Sequence, residues 1–191
     1  MKVFAINGSS RKNGNTSILI EKVFEPLRLE GIKCEQFQMA GHEVRGCRAC
    51  YKCSSRKNRR CSYDGDIVND CIAKMIEADA IILGSPVYVT DVSSEMKALI
   101  DRTCLVAKNN GNFLKFKVGA AVMAERRGGA IHAFDTMNHF FTISEMFVVG
   151  SNYWNFAFGL VKGDVYMDKE GLETMRVLGE NMAWLLKKIH Q

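Results

Sequence analysis

The sequence predicts an α/β fold in which a five-stranded parallel sheet is covered by helices on both faces. Two patterns indicate this fold: short apolar runs alternate with segments of helical periodicity, and the run at residues 80–85 is almost wholly apolar, as in strands buried on both faces. A third observation is a small polar loop directly after the first apolar run. With 191 residues, 47% of them hydrophobic, the chain suits one domain spanning residues 1–191.

Each apolar run is short enough for a strand and is followed by a loop or a turn residue. We expect the strands at about residues 2–7, 32–39, 80–85, 117–124 and 146–150. The polar loop follows the first strand, and crossovers between parallel strands are right-handed, so the expected strand order is 2-1-3-4-5. In such a sheet, ligands bind outside the carboxyl ends of the strands, where strands 1 and 3 diverge.

The helices follow from apolar residues spaced three and four positions apart. We expect them at about residues 15–30, 66–78, 94–107, 130–143 and 170–189, with Ser93 or Ser94 capping the third. Residues 151–169 show no sustained period and are predicted to be irregular. Residues 40–64 are polar, basic and rich in cysteine, and a loop of this length inside a compact domain is usually functional.

The loop between the first strand and the first helix, residues 7–17, is predicted to bind an anion. Backbone amides at a helix N-terminus point at such a ligand, and the helix dipole favours negative charge there. Further donors come from the side chains of Ser9, Arg11, Asn15, Thr16 and Ser17. Gly8 and Gly14 are expected to adopt backbone conformations that other residues avoid. The loop matches neither a P-loop nor a Rossmann fingerprint, so its donors favour a monophosphate; the alternative is an ordinary turn that caps a helix.

Two further loops are expected at the same edge of the sheet. After the third strand, Pro86, Val87 and Tyr88 could border a planar heterocycle, unless Tyr88 simply packs on the core. After the fourth strand, the segment that contains Glu125, Arg126 and Gly128 combines charge with backbone freedom. It could lie along such a ring, or it could be a solvated turn.

Together these loops carry a resemblance to a known family. The motifs G-S-S-R-x-x-G-N-T-S and G-S-P-V-Y, with the Gly-rich loop after strand 4, resemble the flavodoxin-like NAD(P)H-dependent FMN reductases over about residues 1–150. The resemblance implies a flavodoxin-like three-layer sandwich that binds FMN, with the phosphate on the first loop and the isoalloxazine beside residues 86–88. It also implies that the flavin carries the chemistry, so no catalytic side chain is expected, and that NAD(P)H is a possible substrate.

Four of the seven cysteines lie within fifteen residues, in the spacing C-x2-C-x2-C-x7-C. They are Cys47, Cys50, Cys53 and Cys61. Three thiols two residues apart can wrap one face of a [4Fe–4S] cluster, and a fourth after a short loop can complete it. Zinc sites usually pair two C-x2-C units across a longer gap, so zinc fits less well. A metal-free loop with free or redox-active thiols is the remaining alternative.

This spacing, combined with the FMN loops, resembles the iron–sulfur flavoproteins of archaea and anaerobic bacteria. The other cysteines, Cys34, Cys71 and Cys104, fall on predicted strand or helix stripes and are expected to pack in the core. The leading hypothesis is therefore an oxidoreductase that passes electrons between a carrier such as ferredoxin, a [4Fe–4S] cluster and FMN. The alternative is an NAD(P)H-dependent FMN or quinone reductase without a cluster, in which the cysteine loop is a lid.

The composition also constrains partners and location. The basic run at residues 56–60 suits an acidic ferredoxin, although it could be a solvated loop. A net charge of +5 is modestly basic and does not by itself imply nucleic acid, and the lack of an aromatic platform on that loop argues against it. No apolar run is long enough for a signal peptide or a membrane span, so a cytoplasmic protein is expected. The aromatic stretch at residues 151–160, with Trp154, is expected at a subunit interface of a homodimer or homotetramer, because family members oligomerise.

Overall fold

The computed structural model describes residues 1–190, which form a parallel sheet between two layers of helices. The strands are β1 (Lys2–Asn7), β2 (Lys33–Gln38), β3 (Ala80–Pro86), β4 (Val118–Glu125), β5 (Phe147–Val148) and β6 (Phe156–Phe158). The helices are α1 (Asn15–Leu29), α2 (Lys52–Arg56), α3 (Val68–Glu77), α4 (Ser94–Asn109), α5 (Ala130–Ile143) and α6 (Lys169–Ile189), with a 3₁₀ helix at Asp164–Met167. The strands run in the order β2-β1-β3-β4-β5 and pair in parallel, which confirms the predicted topology.

The sheet differs from the prediction beside β4. The expected fifth strand at residues 146–150 shortens to β5, which pairs with the start of β4 at Val118 and Gly119. Farther along, Met123 to Glu125 pair with β6. Residues 151–169 were expected to be irregular, and that prediction is wrong for β6 and the 3₁₀ helix. A three-residue strand has too little alternation to be recognised, and its pairing depends on where the chain returns.

The sheet is covered on both faces, as its apolar strands require. Ile81 and Leu83 of β3 face one core, which α3, α4 and α5 cover. Ala80 and Ile82 face the other, which α1 and α6 cover. This alternation explains why the strand is apolar along most of its length, because a strand with two buried faces favours apolar side chains on both.

The starts of α1 and α4 lie at the carboxyl edge of the sheet. At α4, Ser93 Oγ accepts a hydrogen bond from the backbone amide of Met96 at 3.2 Å, which confirms the predicted cap. At α1, Gly14 occupies the capping position and Ile18 N–H donates to its carbonyl at 3.1 Å. The first amides of α1 therefore have no side-chain cap of their own. Within residues 1–190, no helix is long and apolar enough to cross a membrane.

Candidate functional site

A groove of about 250 Å³ lies at the carboxyl edge of the sheet, where the three predicted loops meet. The first loop contributes Ser9, Arg11, Asn15 and Thr16. The later loops contribute Pro86, Val87, Tyr88 and Arg126. The structure thus brings together eight of the eleven residues that the sequence predicted around the cofactor. We call this site the flavin groove.

The floor of the flavin groove is the loop after β1, residues 7–17, which we call the anion loop. Polar side chains of the loop hold it in shape. The amide of Ser9 donates to Asn7 Oδ1 at 3.0 Å, and the amide of Arg11 donates to Ser9 Oγ at 3.2 Å. Thr16, on the first turn of α1, is almost fully buried. A buried hydroxyl beside uncapped helix amides is suited to an anionic oxygen, so the geometry supports the monophosphate prediction.

The prediction for the loop glycines is wrong. Neither Gly8 nor Gly14 has a positive φ; the left-handed residue of this loop is Asn13, with φ of 52°. Gly8 is required for space instead, because a Cβ there would lie 2.9 Å from Ser93 Oγ at the start of α4. The sequence signalled that small residues were needed but not the reason for them.

A fourth segment, residues 159–163, closes one side of the flavin groove and was missed by the sequence analysis. Arg11 donates to the carbonyl of Leu160 at 2.8 Å. Asn15 donates to the carbonyl of Val161 at 2.9 Å and accepts from the amide of Gly163 at 2.8 Å. We call this segment the closing loop; it adds Lys162 to the lining of the groove.

Arg11 and Asn15 therefore hold the closing loop against the anion loop. The resemblance implied that both side chains donate to the phosphate, whereas in the structure both bond to the closing loop. Gly159 permits the approach, because a Cβ there would lie 2.5 Å from Asn15 Nδ2. The sequence signals for the closing loop were Gly159, Gly163 and Lys162. No local pattern connected these residues to the loop after β1, about 150 residues earlier.

Tyr88 extends from the loop after β3 and lies 44% exposed, so it does not pack in the core. Its hydroxyl is 3.0 Å from Ser10 Oγ, which links this loop to the anion loop. Tyr88 and Asp91 exchange backbone hydrogen bonds of 2.8 and 3.0 Å across a tight turn. At its tip, Val89 and Thr90 have φ of 49° and 66°, conformations that β-branched residues rarely adopt and that cost about 1–3 kcal/mol each.

The strained turn is braced by the loop after β4. Gly129 has φ of 99°, and a Cβ there would lie 3.0 Å from Thr90 Cα. A larger residue would push the turn away from its position. The exposed side chain of Arg126 reaches the flavin groove, so this loop is more than a solvated turn.

The other three predicted cofactor residues lie just outside the flavin groove. Glu125 is buried, and its carboxylate accepts the amide of Ala130 at 3.0 Å at the start of α5. Burial raises the pKa of Glu125 above its ordinary value, although the bond from Ala130 opposes this. Ser17 lines a neighbouring groove with Tyr166, and Gly128 is an exposed residue of the same loop as Arg126. Their roles at the cofactor stay predictions.

The four clustered cysteines line a second cavity, of about 370 Å³. We call it the cysteine pocket. Cys47 and Cys50 are exposed, Cys53 on α2 is buried, and Cys61 is half-buried. Leu105 and Val106 of α4 add apolar side chains to the lining of the pocket.

The arrangement of these thiols bears on which metal fits. Within residues 1–190, no three Cys, His, Asp or Glu side chains are close enough together to hold a single metal ion. A zinc ion requires four ligand atoms about 2.0–2.3 Å from one point, whereas a [4Fe–4S] cluster distributes its four protein ligands over four irons. Four thiols around one open cavity suit a polynuclear cluster better, since each iron takes its own thiolate.

The rim of the cysteine pocket contains polar contacts to sulfur. Cys50 Sγ lies 3.2 Å from Ser62 Oγ, and this hydrogen bond is the main reason that the pKa of Cys50 falls below its ordinary value. Arg102 Nε donates to Cys61 Sγ at 3.3 Å. The Ser62 contact stabilises Cys50 as a thiolate, the form that binds metal.

The three remaining cysteines behave as core residues, as predicted. Cys71 is fully buried, and burial raises its pKa to about 12. Cys34 and Cys104 are half-buried against the two cores, and burial raises the pKa of Cys34 to about 11. Thiols of this kind stay protonated and are poor metal ligands.

Helix α4 connects the two sites. Its cap, Ser93, lies beside the anion loop, whereas Arg102 and Val106 lie at the cysteine pocket. Arg102 lies nine positions after Ser93, which is roughly 14 Å along the helix at 1.5 Å per residue. The two sites are therefore distinct, and α4 runs from the loop after β1 to the cysteine pocket.

Known flavoproteins share the sequence pattern and the fold of this chain. The model of the NADPH-dependent FMN reductase family matches residues 1–160. An iron–sulfur flavoprotein of Methanocaldococcus jannaschii is 39% identical, and the match covers 99% of this chain and 99% of that protein. An iron–sulfur flavoprotein of Methanosarcina thermophila is 32% identical, and the match covers 100% of this chain and 98% of that protein. Among solved structures, RosB with a bound flavin phosphate has a TM-score of 0.78 at 18% identity, covering 100% of this chain and 80% of its own. At that identity the likeness concerns the fold alone.

Proposed function

The chain belongs to the NADPH-dependent FMN reductase family and is a flavin-dependent oxidoreductase, and from this premise we propose that it is an iron–sulfur flavoprotein. In this proposal FMN lies in the flavin groove, a [4Fe–4S] cluster lies in the cysteine pocket, and a small electron carrier such as ferredoxin is the partner. The observation that carries the proposal is that all four clustered thiols line one cavity.

FMN, when bound, supplies one- and two-electron redox chemistry at its ring. The chain's own contribution is binding and orientation. Thr16 and the first amides of α1 would hold the phosphate, with the charges of Arg126 and Lys162 nearby. Val87 and Tyr88 would border the ring. The closing loop would limit the access of water to the phosphate.

A [4Fe–4S] cluster, when bound, supplies one-electron transfer. Cys47, Cys50, Cys53 and Cys61 would be its ligands. The side chains of Arg48 and Lys52 also line the pocket, and their charge would offset the negative charge of the thiolates. Leu105 and Val106 would keep water from one side.

The proposed carrier site is the basic segment beside the cysteine pocket. Its exposed cations are Arg56, Lys57, Arg59 and Arg60. Lys57 donates to the carbonyl of Asn109 at 2.8 Å and Arg60 pairs with Asp64, so the segment is tied to α4 and to its own loop. A fixed basic surface next to a redox centre suits an acidic ferredoxin, whose reduction rate should fall steeply as salt rises.

A second candidate is an NAD(P)H-dependent FMN or quinone reductase without a cluster. It is favoured by the exposure of Cys47 and Cys50, because exposed thiols are also compatible with a lid. Rapid anaerobic bleaching of the bound flavin by NAD(P)H would favour this candidate. Slow bleaching by NAD(P)H, with fast reduction by ferredoxin, would favour the iron–sulfur flavoprotein.

The decisive experiment is the anaerobic visible spectrum of the purified protein, with iron, sulfide and flavin analysis. We expect FMN rather than FAD after denaturation, because the flavin groove has one anion loop and the sequence has no second Gly-rich fingerprint. We expect about four irons per subunit. Protein that takes up no iron under reconstitution would reject the cluster and favour the reductase.

We also propose that the chain forms a homodimer or homotetramer. Three aromatic side chains near the flavin groove, Tyr153, Trp154 and Phe158, are each 45–51% exposed. Tyr153 and Trp154 contact each other edge-on at 4.6 Å. Apolar surface of this kind is typical of interaction sites. Light scattering should give a multiple of 21.4 kDa, and a monomer at micromolar concentration would contradict the proposal.

A further inference from the structure

Arg102 is the largest side chain that the structure buries completely, with 2% of its surface exposed. It lies on α4, at the wall of the cysteine pocket. Burying a guanidinium costs folding free energy unless its donors find acceptors. The acceptors of Arg102 therefore indicate its role.

Three donations from the end of the side chain go to residues 45–66, the segment that contains the four clustered cysteines. One terminal nitrogen donates to the Asp66 carboxylate and to the carbonyl of Arg45 at 3.1 Å. The other donates to the carbonyl of Tyr63 at 3.0 Å. These acceptors lie before the first clustered cysteine and after the last one. Arg102 therefore fastens both ends of the segment to α4.

The remaining donor, Nε, points at sulfur. It donates to Cys61 Sγ at 3.3 Å. A guanidinium is planar, so once both terminal nitrogens are engaged the direction of Nε–H is fixed. The contact to Cys61 is thus a consequence of the whole network rather than of one rotamer.

The backbone of Cys61 is held separately. Asn69 accepts the amide of Cys61 at 2.8 Å and donates to its carbonyl at 3.1 Å. Asn69 is buried, and its other side-chain hydrogen bonds go to the carbonyl of Tyr63 and the carboxylate of Asp64. Asn69 thus holds the backbone of Cys61, whereas Arg102 contacts its sulfur.

We propose that Arg102 is a positioning residue of the iron–sulfur site, and that its N–H···S bond to Cys61 raises the reduction potential of the cluster. The inference depends on the proposed function, because it requires a cluster in the cysteine pocket. A hydrogen bond to a ligating sulfur withdraws charge and stabilises the reduced, more negative form. Asp66 neutralises most of the long-range field of Arg102, so the effect acts through the bond itself.

The test compares two kinds of variant by redox titration followed by electron paramagnetic resonance. Arg102→Lys keeps a positive charge for Asp66 but loses the planar set of guanidinium donors. The double variant Arg102→Gln/Asp66→Asn removes the ion pair without changing the net charge. Both should give a more negative potential than wild type. Arg60→Gln removes an exposed charge next to Cys61 and should shift the potential less. Asn69→Ser should lower iron content without changing the potential of the clusters that form.

The outcomes separate the inference from the proposed function. Wild-type protein without iron would reject the cluster and this inference together. Clusters with an unchanged potential in both Arg102 variants would reject the inference alone. If those variants fail to fold or to hold iron, wild-type protein labelled with ¹⁵N at arginine Nε decides. A nitrogen coupled to the reduced cluster supports the bond, and no coupling overturns it.

Discussion

The flavin groove and the cysteine pocket are built in opposite ways. The groove lies at the carboxyl edge of the sheet, where strand order alone brings the loops after β1, β3 and β4 together. The pocket lies on a long segment between β2 and α3 that contains one short helix, α2. Its shape depends on a few buried side chains, chiefly Arg102, Asp66 and Asn69. We therefore expect that substitutions which disrupt the cysteine pocket leave the flavin groove able to bind FMN.

The strongest test of this comparison is to replace each clustered cysteine by Ser. Cys47, Cys50, Cys53 and Cys61 should behave alike, because the cluster needs a ligand for each iron. Iron should fall from about four per subunit to nearly none, while FMN content stays at the wild-type level. Iron and flavin assays after anaerobic reconstitution measure both. Cys71→Ser is the control: it should keep iron and cost packing only. A parallel loss of FMN would show that the two sites are not independent.

The next largest effect is expected from Arg102→Ala. The variant leaves the buried Asp66 carboxylate without its partner, which typically costs about 3–5 kcal/mol. Burial tends to raise the pKa of Asp66, yet hydrogen bonds from Arg102 and from the amides of Arg45 and Val68 hold it below its ordinary value, so this charge persists at neutral pH. Denaturant unfolding gives the cost in free energy.

The location of the damage matters as much as its size. Hydrogen exchange in Arg102→Ala should increase at residues 45–66 and remain slow in β1, β3 and β4. The exposed pair of Arg28 and Glu21 offers a matched control, since Arg28→Ala should cost less than about 1 kcal/mol. If hydrogen exchange in Arg102→Ala were faster throughout the sheet as well as at residues 45–66, the pocket would not be organised separately from the sheet.

A smaller effect is expected in the flavin groove. Thr16→Ala should weaken FMN binding by about 1–3 kcal/mol, the usual range for a hydrogen bond to a charged group. Arg11→Ala should have a similar effect, larger at low salt, and should also release the closing loop from the anion loop. Lys12→Ala removes a charge from the same loop outside the groove and serves as the control. If the double variant Arg11→Ala/Thr16→Ala retains FMN through dialysis as wild type does, the assignment of the loop is wrong.

The smallest expected effect concerns pH and Glu125. Its pKa in the folded protein is raised above the ordinary value of 4.5, chiefly by burial. The folded state therefore binds the proton more tightly than the unfolded state does. This contribution to stability is complete below pH 4.5 and is lost as pH rises through the folded pKa.

Glu125→Gln keeps an acceptor for the Ala130 amide and removes the charge. In FMN-free protein, the free energies of unfolding of variant and wild type should differ little near pH 4. At pH 7 the variant should be the more stable, because it buries no charge at this position. Chemical denaturation across this range measures the difference. A variant that is less stable at pH 7 would show that the ionised carboxylate stabilises the start of α5.

Much of the groove could be predicted because its signals are local. The apolar runs identified the strands, and the small polar residues after β1 identified an anion loop without reference to the rest of the chain. The spacing of the cysteines likewise indicated a cluster rather than a single ion. The order of the strands then followed from the handedness of parallel crossovers, so eight predicted residues lie in one groove.

By itself, then, the sequence determined the layers, the sheet order and the chemistry available at each site. Tertiary structure alone decided which distant residues complete them. Arg11 meets Leu160 from 149 residues away, β6 takes its place beside β4, and Arg102 reaches Cys61 from 41 residues away. Periodicity reports which face of an element is buried, but not which partner buries it. A hydrogen bond between distant segments depends on distance and angle, and these exist only once the chain has folded.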